Sequence, residues 1–258
     1  MESLEAELER ARDLDVAALA DAVEAVGFEC TRCGACCKGH TVDGEREDHT
    51  ATVFPDEVRD LQAAATDLPE DVGEGAAGNV PDAPREWRDV ARPMPFGLRE
   101  GEAEAGPEGE TFEWALATDG CGDCAFYAED GDGTGACTVH GARPLICRTY
   151  PFSVALTGTS QPMGEVVDRV PLGASDAADP ETGERFETAL HAHECEGLGR
   201  DIDRADAEEL AAALKERAVR ELEEAIAVRD GYEPADPDPG EVVVHDSEGA
   251  KRPDGSPR

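Results

Sequence analysis

The sequence predicts an α+β fold: a small, irregular, metal-stapled domain with a few short helices, short antiparallel strands and acidic loops. Apolar residues recur at helical spacing near both ends of the chain, and they alternate with polar or small residues over 111–117. Four of the nine cysteines lie in one run of eight residues, Cys30 to Cys37. Aromatic residues make up only 5% of the chain, so a bound metal can add stability that the core lacks.

Two long helices are predicted within a single domain that covers residues 1–229. From Val16 to Val26, apolar residues recur every three or four positions, which predicts a helix over 3–26. A second helix is predicted at about 206–228, where a capping-box pattern precedes apolar residues at four-residue spacing.

The rest of the chain is predicted to consist of loops and short strands. Residues 67–110 are rich in Asp, Glu, Gly and Pro, which predicts a long, partly ordered acidic insert. The strand at 111–117 leads into a predicted hairpin over 121–140. Residues 230–258 have the composition of a disordered acidic tail.

The charge of the chain narrows the classes of partner. Its 60 acidic and 23 basic side chains have a formal net charge of −37, spread along the whole sequence. This pattern is typical of halophilic adaptation to concentrated salt, where self-repulsion is screened. Nucleic acid is disfavoured as a partner because its phosphates are bound by Lys and Arg. A secretory signal and apolar runs of about 18 residues are not recognisable, so we expect a cytoplasmic protein with no membrane span.

The cysteine run has the pattern Cys30-x2-Cys33-Gly34-x-Cys36-Cys37. Such short intervals are typical of loops that bring thiolate ligands around one metal, and the glycine allows close backbone approach to a sulfur. Disulfides and inert buried thiols are the alternatives. We favour metal ligation because a reducing cytoplasm opposes disulfides, and because an odd number of cysteines cannot all pair.

Further cysteines and histidines extend the set of candidate ligands. Cys121 and Cys124 form a second C-x2-C, for which a redox dithiol is the alternative, although the βαβ pattern typical of that class is missing. His40 and His49 lie in a polar loop, where lone histidines are usually solvated. Cys195 follows closely on His193.

Basic residues lie beside several cysteines in a chain that is otherwise poor in lysine. Four thiolates on one Zn²⁺ leave a net charge of about −2, which favours cationic donors nearby. Charge compensation is therefore predicted for Arg32, Lys38, Arg143 and Arg148. The alternative is that these side chains form only surface ion pairs, which contribute little to stability.

Downstream of the run come Cys124-x-Phe126, then Cys137-x2-His140-x2-Arg143-Pro144-x2-Cys147-Arg148-x-Tyr150-Pro151-Phe152, and finally Cys195. Over about residues 25–200 this pattern resembles the YkgJ family of cysteine-cluster proteins, the zinc- or iron-chelating CxxCxxCC domain. The resemblance implies a metal-chelating domain with this ligand set: Cys30, Cys33, Cys36, Cys37, Cys124, Cys137, Cys147 and Cys195. Cys121 falls outside the family pattern and His140 stands where Tyr or His is usual. With His193, they are additional candidate ligands.

Eight thiols suffice for two four-ligand sites or for one larger assembly. Adjacent cysteines point their sulfurs apart in most backbone conformations, so Cys36 and Cys37 are expected to serve two centres or to span two metals. The run lacks the three residues that separate the third and fourth cysteines of a ferredoxin. A standard ferredoxin cluster is therefore not expected, although a different Fe–S arrangement stays open.

Three functions are compatible with these observations. The first is a non-catalytic module that binds zinc or iron, and the second is an Fe–S oxidoreductase or electron-transfer protein. The third is a redox or metal-delivery protein with exchangeable thiols. A catalytic acid–base pair, an activated nucleophile and a phosphate-binding loop are not recognisable, so enzyme status stays open. The metal, Zn²⁺ or Fe, is the expected cofactor, and the sequence names no protein partner.

Overall fold

The computed structural model describes residues 3–42, 44–66, 85–101, 106–156, 159–162, 164–178 and 185–258. It contains six α-helices and several small sheets of short strands, which confirms the predicted α+β class. Within these ranges, every helix is too short or too polar to span a lipid bilayer.

The chain divides into two compact units. The first consists of Met1–Thr31 and Leu145–Ile226, and the second of Arg32–Pro144 and Ala227–Arg258. Each unit therefore combines segments that are distant in the sequence. The single domain expected over 1–229 stays a prediction.

The first unit begins with two helices, α1 (Leu4–Arg12) and α2 (Val16–Val26). The single helix expected over 3–26 is wrong, because the Asp15 carboxylate accepts the backbone N–H groups of Ala17 and Ala18 at 2.8 and 3.4 Å. An aspartate at this position caps a new helix, since it satisfies donors that have no partner in the first turn.

The helices of the first unit pack with a three-stranded antiparallel sheet. The remaining elements of this unit are α5 (Leu145–Thr149), β10 (Phe152–Val154), β11 (Val166–Ala178), β12 (Arg185–His193) and α6 (Arg204–Gly231), which extends past the unit boundary. The sheet order is β10-β12-β11. The buried core of the first unit is aliphatic apart from Phe152, whose ring packs edge to face on that of Phe28 with centroids 5.9 Å apart. The helix α6 covers the range that the sequence predicted at about 206–228.

The second unit is built from many short elements. Its helices are α3 (Pro55–Thr66) and α4 (Trp87–Val90), with single 3₁₀ turns at Ala35–Cys37 and His140–Ala142. Its strands are β1 (His40–Val42), β2 (Glu45–Glu47), β3 (Thr52–Val53), β4 (Ala91–Pro93), β5 (Leu98–Glu100), β6 (Pro107–Thr111), β7 (Trp114–Leu116), β8 (Tyr127–Glu129), β9 (Gly135–Cys137), β13 (Val242–Asp246) and β14 (Gly249–Lys251). They form sheets with the orders β1-β2, β3-β7-β4, β8-β9 and β14-β13-β6-β5.

The end of the chain is ordered. The disordered tail expected at 230–258 is wrong, because β13 pairs in parallel with β6 and antiparallel with β14. Three consecutive valines, Val242 to Val244, are buried in this sheet. Acidic and proline-rich neighbours suggested disorder, but burial of this apolar run outweighs them.

Part of the expected acidic insert is also ordered. Residues 67–84 and 102–105 lie outside the described ranges, whereas α4, β4 and β5 form within the remainder. Val90 and Met94 are buried there, and Trp87 packs on Trp114 with ring centroids 5.0 Å apart. Large apolar side chains spaced through an acidic segment thus anchor it to the second unit.

Candidate metal centre

The adjacent cysteines lie in a tight turn of the second unit. Gly34 has a φ of 77°, and the 3₁₀ turn Ala35–Cys37 follows it, closed by the Cys37 N–H donating to the Gly34 carbonyl at 2.8 Å. The Sγ atoms of Cys36 and Cys37 are 3.8 Å apart. The expectation that these sulfurs point apart is wrong, since successive residues of a 3₁₀ turn are rotated by only about 120°.

This sulfur separation has a chemical meaning. Two thiolates on one tetrahedral ion, each about 2.3 Å from the metal, lie about 3.8 Å from one another. A disulfide holds its sulfurs at about 2.05 Å, and all nine cysteines are free thiols in the structure. The pair therefore has the spacing of two ligands of one metal.

A hairpin positions two more cysteines near this turn. The backbone N–H of Cys124 donates to the Cys37 carbonyl at 2.8 Å, and Cys124 itself is buried. Strands β8 and β9 pair antiparallel, with Tyr127 opposite Cys137. The sequence predicted a hairpin that carries ligands at its edge, and the structure places Cys124 before its first strand and Cys137 at the end of its second.

The thiols of this group influence one another's ionisation. The contact with Cys37 lowers the pKa of Cys36 to about 7. Burial, together with the charges of Cys137 and Cys36, raises the pKa of Cys124 to about 12. Burial likewise raises the pKa of Cys137, in part offset by Arg143. Buried thiols such as Cys124 become thiolates readily only beside a cation, and a bound metal ion is such a cation.

The basic residues of the second unit differ in what they contact. The charge of Arg143 favours the thiolate forms of Cys36 and Cys137: it adds to the lowering of the pKa of Cys36 and opposes the rise that burial causes in the pKa of Cys137. Lys38 instead binds the Glu129 carboxylate at 2.5 Å and lies over the Tyr127 ring. Lys38 therefore pairs with a carboxylate, whereas the charge of Arg143 acts on the thiols.

Three cysteines belong to the first unit. Cys30 is exposed and follows Glu29, whose N–H donates to the Gly197 carbonyl at 3.1 Å. The Gly197 N–H donates to the Cys195 sulfur at 3.4 Å. The short helix α5 carries Cys147, which is half-buried, and an exposed Arg148.

The additional candidate ligands differ in availability. Cys121 and His140 are exposed in the second unit. His193 is buried, and both of its ring nitrogens are engaged, with Ser153 Oγ at 2.9 Å and the Gly164 carbonyl at 3.1 Å. His193 therefore has no nitrogen lone pair directed at a metal in this arrangement.

The structure contradicts the solvent exposure expected for His49. It was expected to be solvated, yet it is 2% exposed and its Nε2 lies 3.0 Å from the Cys36 carbonyl oxygen. Burial lowers its pKa to about 4. The polar residues around His49 in the sequence gave no signal of this, because its partners, Cys36, Gly122 and Arg92, lie elsewhere in the chain.

No complete metal site is preformed: within the described ranges, groups of three or more His, Cys, Asp or Glu side chains arranged to hold an ion are absent. The donor set nevertheless fits a thiophilic metal, since Cys36 and Cys37 have ligand spacing and buried thiols lie nearby.

Comparison with known proteins places the chain in one family. No curated protein and no solved structure matches it. One family model matches residues 29–195, well over half of the chain, and this range contains all nine cysteines. The chain belongs to the family of that model, which is described as "CxxCxxCC: Putative zinc- or iron-chelating domain".

Proposed function

We propose that the chain binds zinc or iron through thiolates, and that Cys36, Cys37, Cys124 and Cys137 form one ligand group. The observation that carries this proposal is the 3.8 Å separation of the Cys36 and Cys37 sulfurs, which matches two ligands of one tetrahedral ion. The charge of Cys36 raises the pKa of both Cys124 and Cys137, which supports the same group.

The proposed ligand set includes the other cysteines that match the family pattern. These are Cys30, Cys33, Cys147 and Cys195. Together with the first group they supply eight thiolates, enough for two metal ions or for one polynuclear centre. Arg143 offsets part of the negative charge that four thiolates retain on a divalent ion.

The proposed role of the metal is structural. Strands of the second unit are only two to five residues long, and such short elements bury little apolar surface. Structural zinc contributes about 10–16 kcal/mol of binding free energy in small domains, as much as the whole stability of a typical fold. Metal binding would then decide whether this unit folds.

Metal analysis of anaerobically purified protein tests the proposal. Purification in molar salt, followed by zinc, iron and acid-labile sulfide determination and a visible spectrum, should give bound zinc or iron. Colourless protein with zinc alone excludes the second candidate, an Fe–S oxidoreductase or electron-transfer protein. Brown protein with labile sulfide supports that candidate and contradicts structural zinc, whereas protein without metal contradicts both.

A pair of serine variants tests the ligand set. We expect Cys33→Ser to lose metal and to lower the free energy of unfolding, because a hydroxyl replaces a thiolate ligand. Cys121→Ser is the matched control, since Cys121 is exposed and lies outside the family pattern. Equal metal loss in the two variants would show that the ligand set is drawn wrongly.

A further inference from the structure

We propose that His49 is a positioning residue that holds the Cys36–Cys37 turn in its metal-binding geometry. This inference rests on the proposed metal-binding function and adds a role for a residue that is not a thiol. Its basis is the contact between the His49 ring and the Cys36 carbonyl oxygen, 3.0 Å from Nε2.

The turn needs such an anchor because one internal hydrogen bond is too little to fix its conformation. A three-residue 3₁₀ segment closes one backbone hydrogen bond, from Cys37 to Gly34, and its remaining carbonyls need partners from elsewhere. Cys124 supplies the partner of the Cys37 carbonyl through its N–H at 2.8 Å. His49 supplies the partner of the Cys36 carbonyl, so the carbonyl groups of both cysteines are held.

His49 is itself held rigidly. Its backbone N–H donates to the Gly122 carbonyl at 2.9 Å, and its own carbonyl accepts from Arg92 Nη2 at 2.8 Å. Gly122 approaches closely, since a Cβ on it would lie 2.5 Å from the Asp48 carboxylate. His49 therefore contacts the cysteine turn through its ring, and the loop between Cys121 and Cys124 and strand β4 through its backbone.

The tautomer of His49 follows from the contact. A carbonyl oxygen can only accept, so Nε2 must carry the proton and donate it to Cys36. The other nitrogen, Nδ1, is then a bare acceptor, and it is buried without a partner among the described residues. A buried acceptor without a hydrogen-bond partner destabilises the fold, so the ring is a poor choice for stability alone. The ring can donate a hydrogen bond to the Cys36 carbonyl, whereas an aliphatic side chain of similar size cannot.

Small displacements of this turn matter for metal affinity. Metal–ligand distances tolerate only about 0.2 Å, and two sulfurs on adjacent residues move together with the backbone that carries them. Loss of an outer hydrogen-bond partner of a ligand typically lowers metal affinity by about 10- to 100-fold. We expect a loss of that size when His49 cannot donate to Cys36.

Two amide variants separate positioning from mere packing. In His49→Gln the side-chain N–H₂ can occupy the place of Nε2 and still donate to Cys36. In His49→Asn the amide reaches only the place of Nδ1 and cannot donate. His245→Gln is the control, because His245 is also a buried histidine of the second unit but binds Glu110.

The measurements are zinc affinity by competition with a chromophoric chelator, and the thiolate-to-metal charge-transfer spectrum of the cobalt-loaded protein. We expect His49→Asn to bind zinc about 10- to 100-fold more weakly with an altered cobalt spectrum, and His49→Gln and His245→Gln to resemble wild type. Wild-type affinity and spectrum in His49→Asn would overturn the inference, as would an equal loss in His49→Gln. A wild-type protein that takes up neither ion overturns the proposed function and this inference with it.

Discussion

Replacing Gly34 with alanine is expected to damage the cysteine run without removing a thiol. Gly34 has a φ of 77° and lies against the Tyr127 ring, which a new Cβ would meet at 2.2 Å from Oη and 2.6 Å from Cζ. The Tyr127 ring has little freedom to move away, because Gly135 also packs against it. In addition, the Tyr127 hydroxyl donates to Glu129 at 2.6 Å. Both glycines are therefore needed for the ring to fit.

The expected loss of stability has two parts. An L-residue in left-handed conformation costs about 1–2 kcal/mol, and forcing a methyl group into a packed contact costs typically about 1–3 kcal/mol. The free energy of unfolding should therefore fall by about 2–5 kcal/mol in Gly34→Ala. The turn that begins at Gly34 carries Cys36 and Cys37, so zinc affinity should fall as well.

Urea unfolding in molar salt with saturating zinc measures the first effect, and chelator competition measures the second. Gly131→Ala is the matched control, because Gly131 is not left-handed and a Cβ there would meet nothing within 4 Å. Its stability should change by no more than about 0.5 kcal/mol or rise slightly. If Gly34→Ala unfolds like Gly131→Ala and keeps its zinc, the reasoning about Gly34 and Tyr127 is refuted.

Three further substitutions test interactions away from the thiols. Arg217→Met should destabilise the first unit by about 3–5 kcal/mol in chemical unfolding, because Arg217 is 3% exposed and its loss leaves the buried Glu221 carboxylate without its cation at 2.9 Å. Arg204→Ala, which breaks only exposed ion pairs, should change little; an equal loss would contradict this. Burial alone would raise the pKa of Glu110, but the hydrogen bonds it accepts, including one from His245, leave that pKa below its usual value. Since the folded pKa is depressed, Glu110 stabilises the fold above its unfolded pKa, and this contribution fades as pH falls through the folded value. The stability difference between wild type and Glu110→Gln should therefore shrink as pH falls below about 4.3, the ordinary pKa of a glutamate, and a difference that is constant with pH would refute the assignment.

Several elements could be predicted from the sequence because local signals determine them. The hairpin that carries Cys124 and Cys137 follows from turn residues between short apolar segments, and the helix α6 follows from its regular apolar spacing. The apolar spacing does not predict the break between α1 and α2, because in the sequence Asp15 resembles any single polar residue of an amphipathic helix. Only its actual hydrogen bonds identify it as a cap.

Other elements depend on partners that are distant in the sequence. Strand β13 looked like part of a disordered tail, yet Val242 pairs with Gly109 and the valines around it are buried. His49 looked like a solvated loop residue, yet it is buried and contacts the Cys36 and Gly122 carbonyls. No local pattern reports such contacts, since they depend on which surfaces meet in the folded chain.

The sequence by itself determined that this is a thiolate-rich, metal-chelating chain, because ligand chemistry depends on residue type and short spacing. Only the tertiary structure decided that the Cys36 and Cys37 sulfurs lie at ligand spacing, that Cys124 and Cys137 come near them, and that Lys38 binds a carboxylate. The direction of a side chain depends on the turn that carries it and on what packs around that turn. In this protein, Gly34, Tyr127 and His49 supply that packing for the cysteine run.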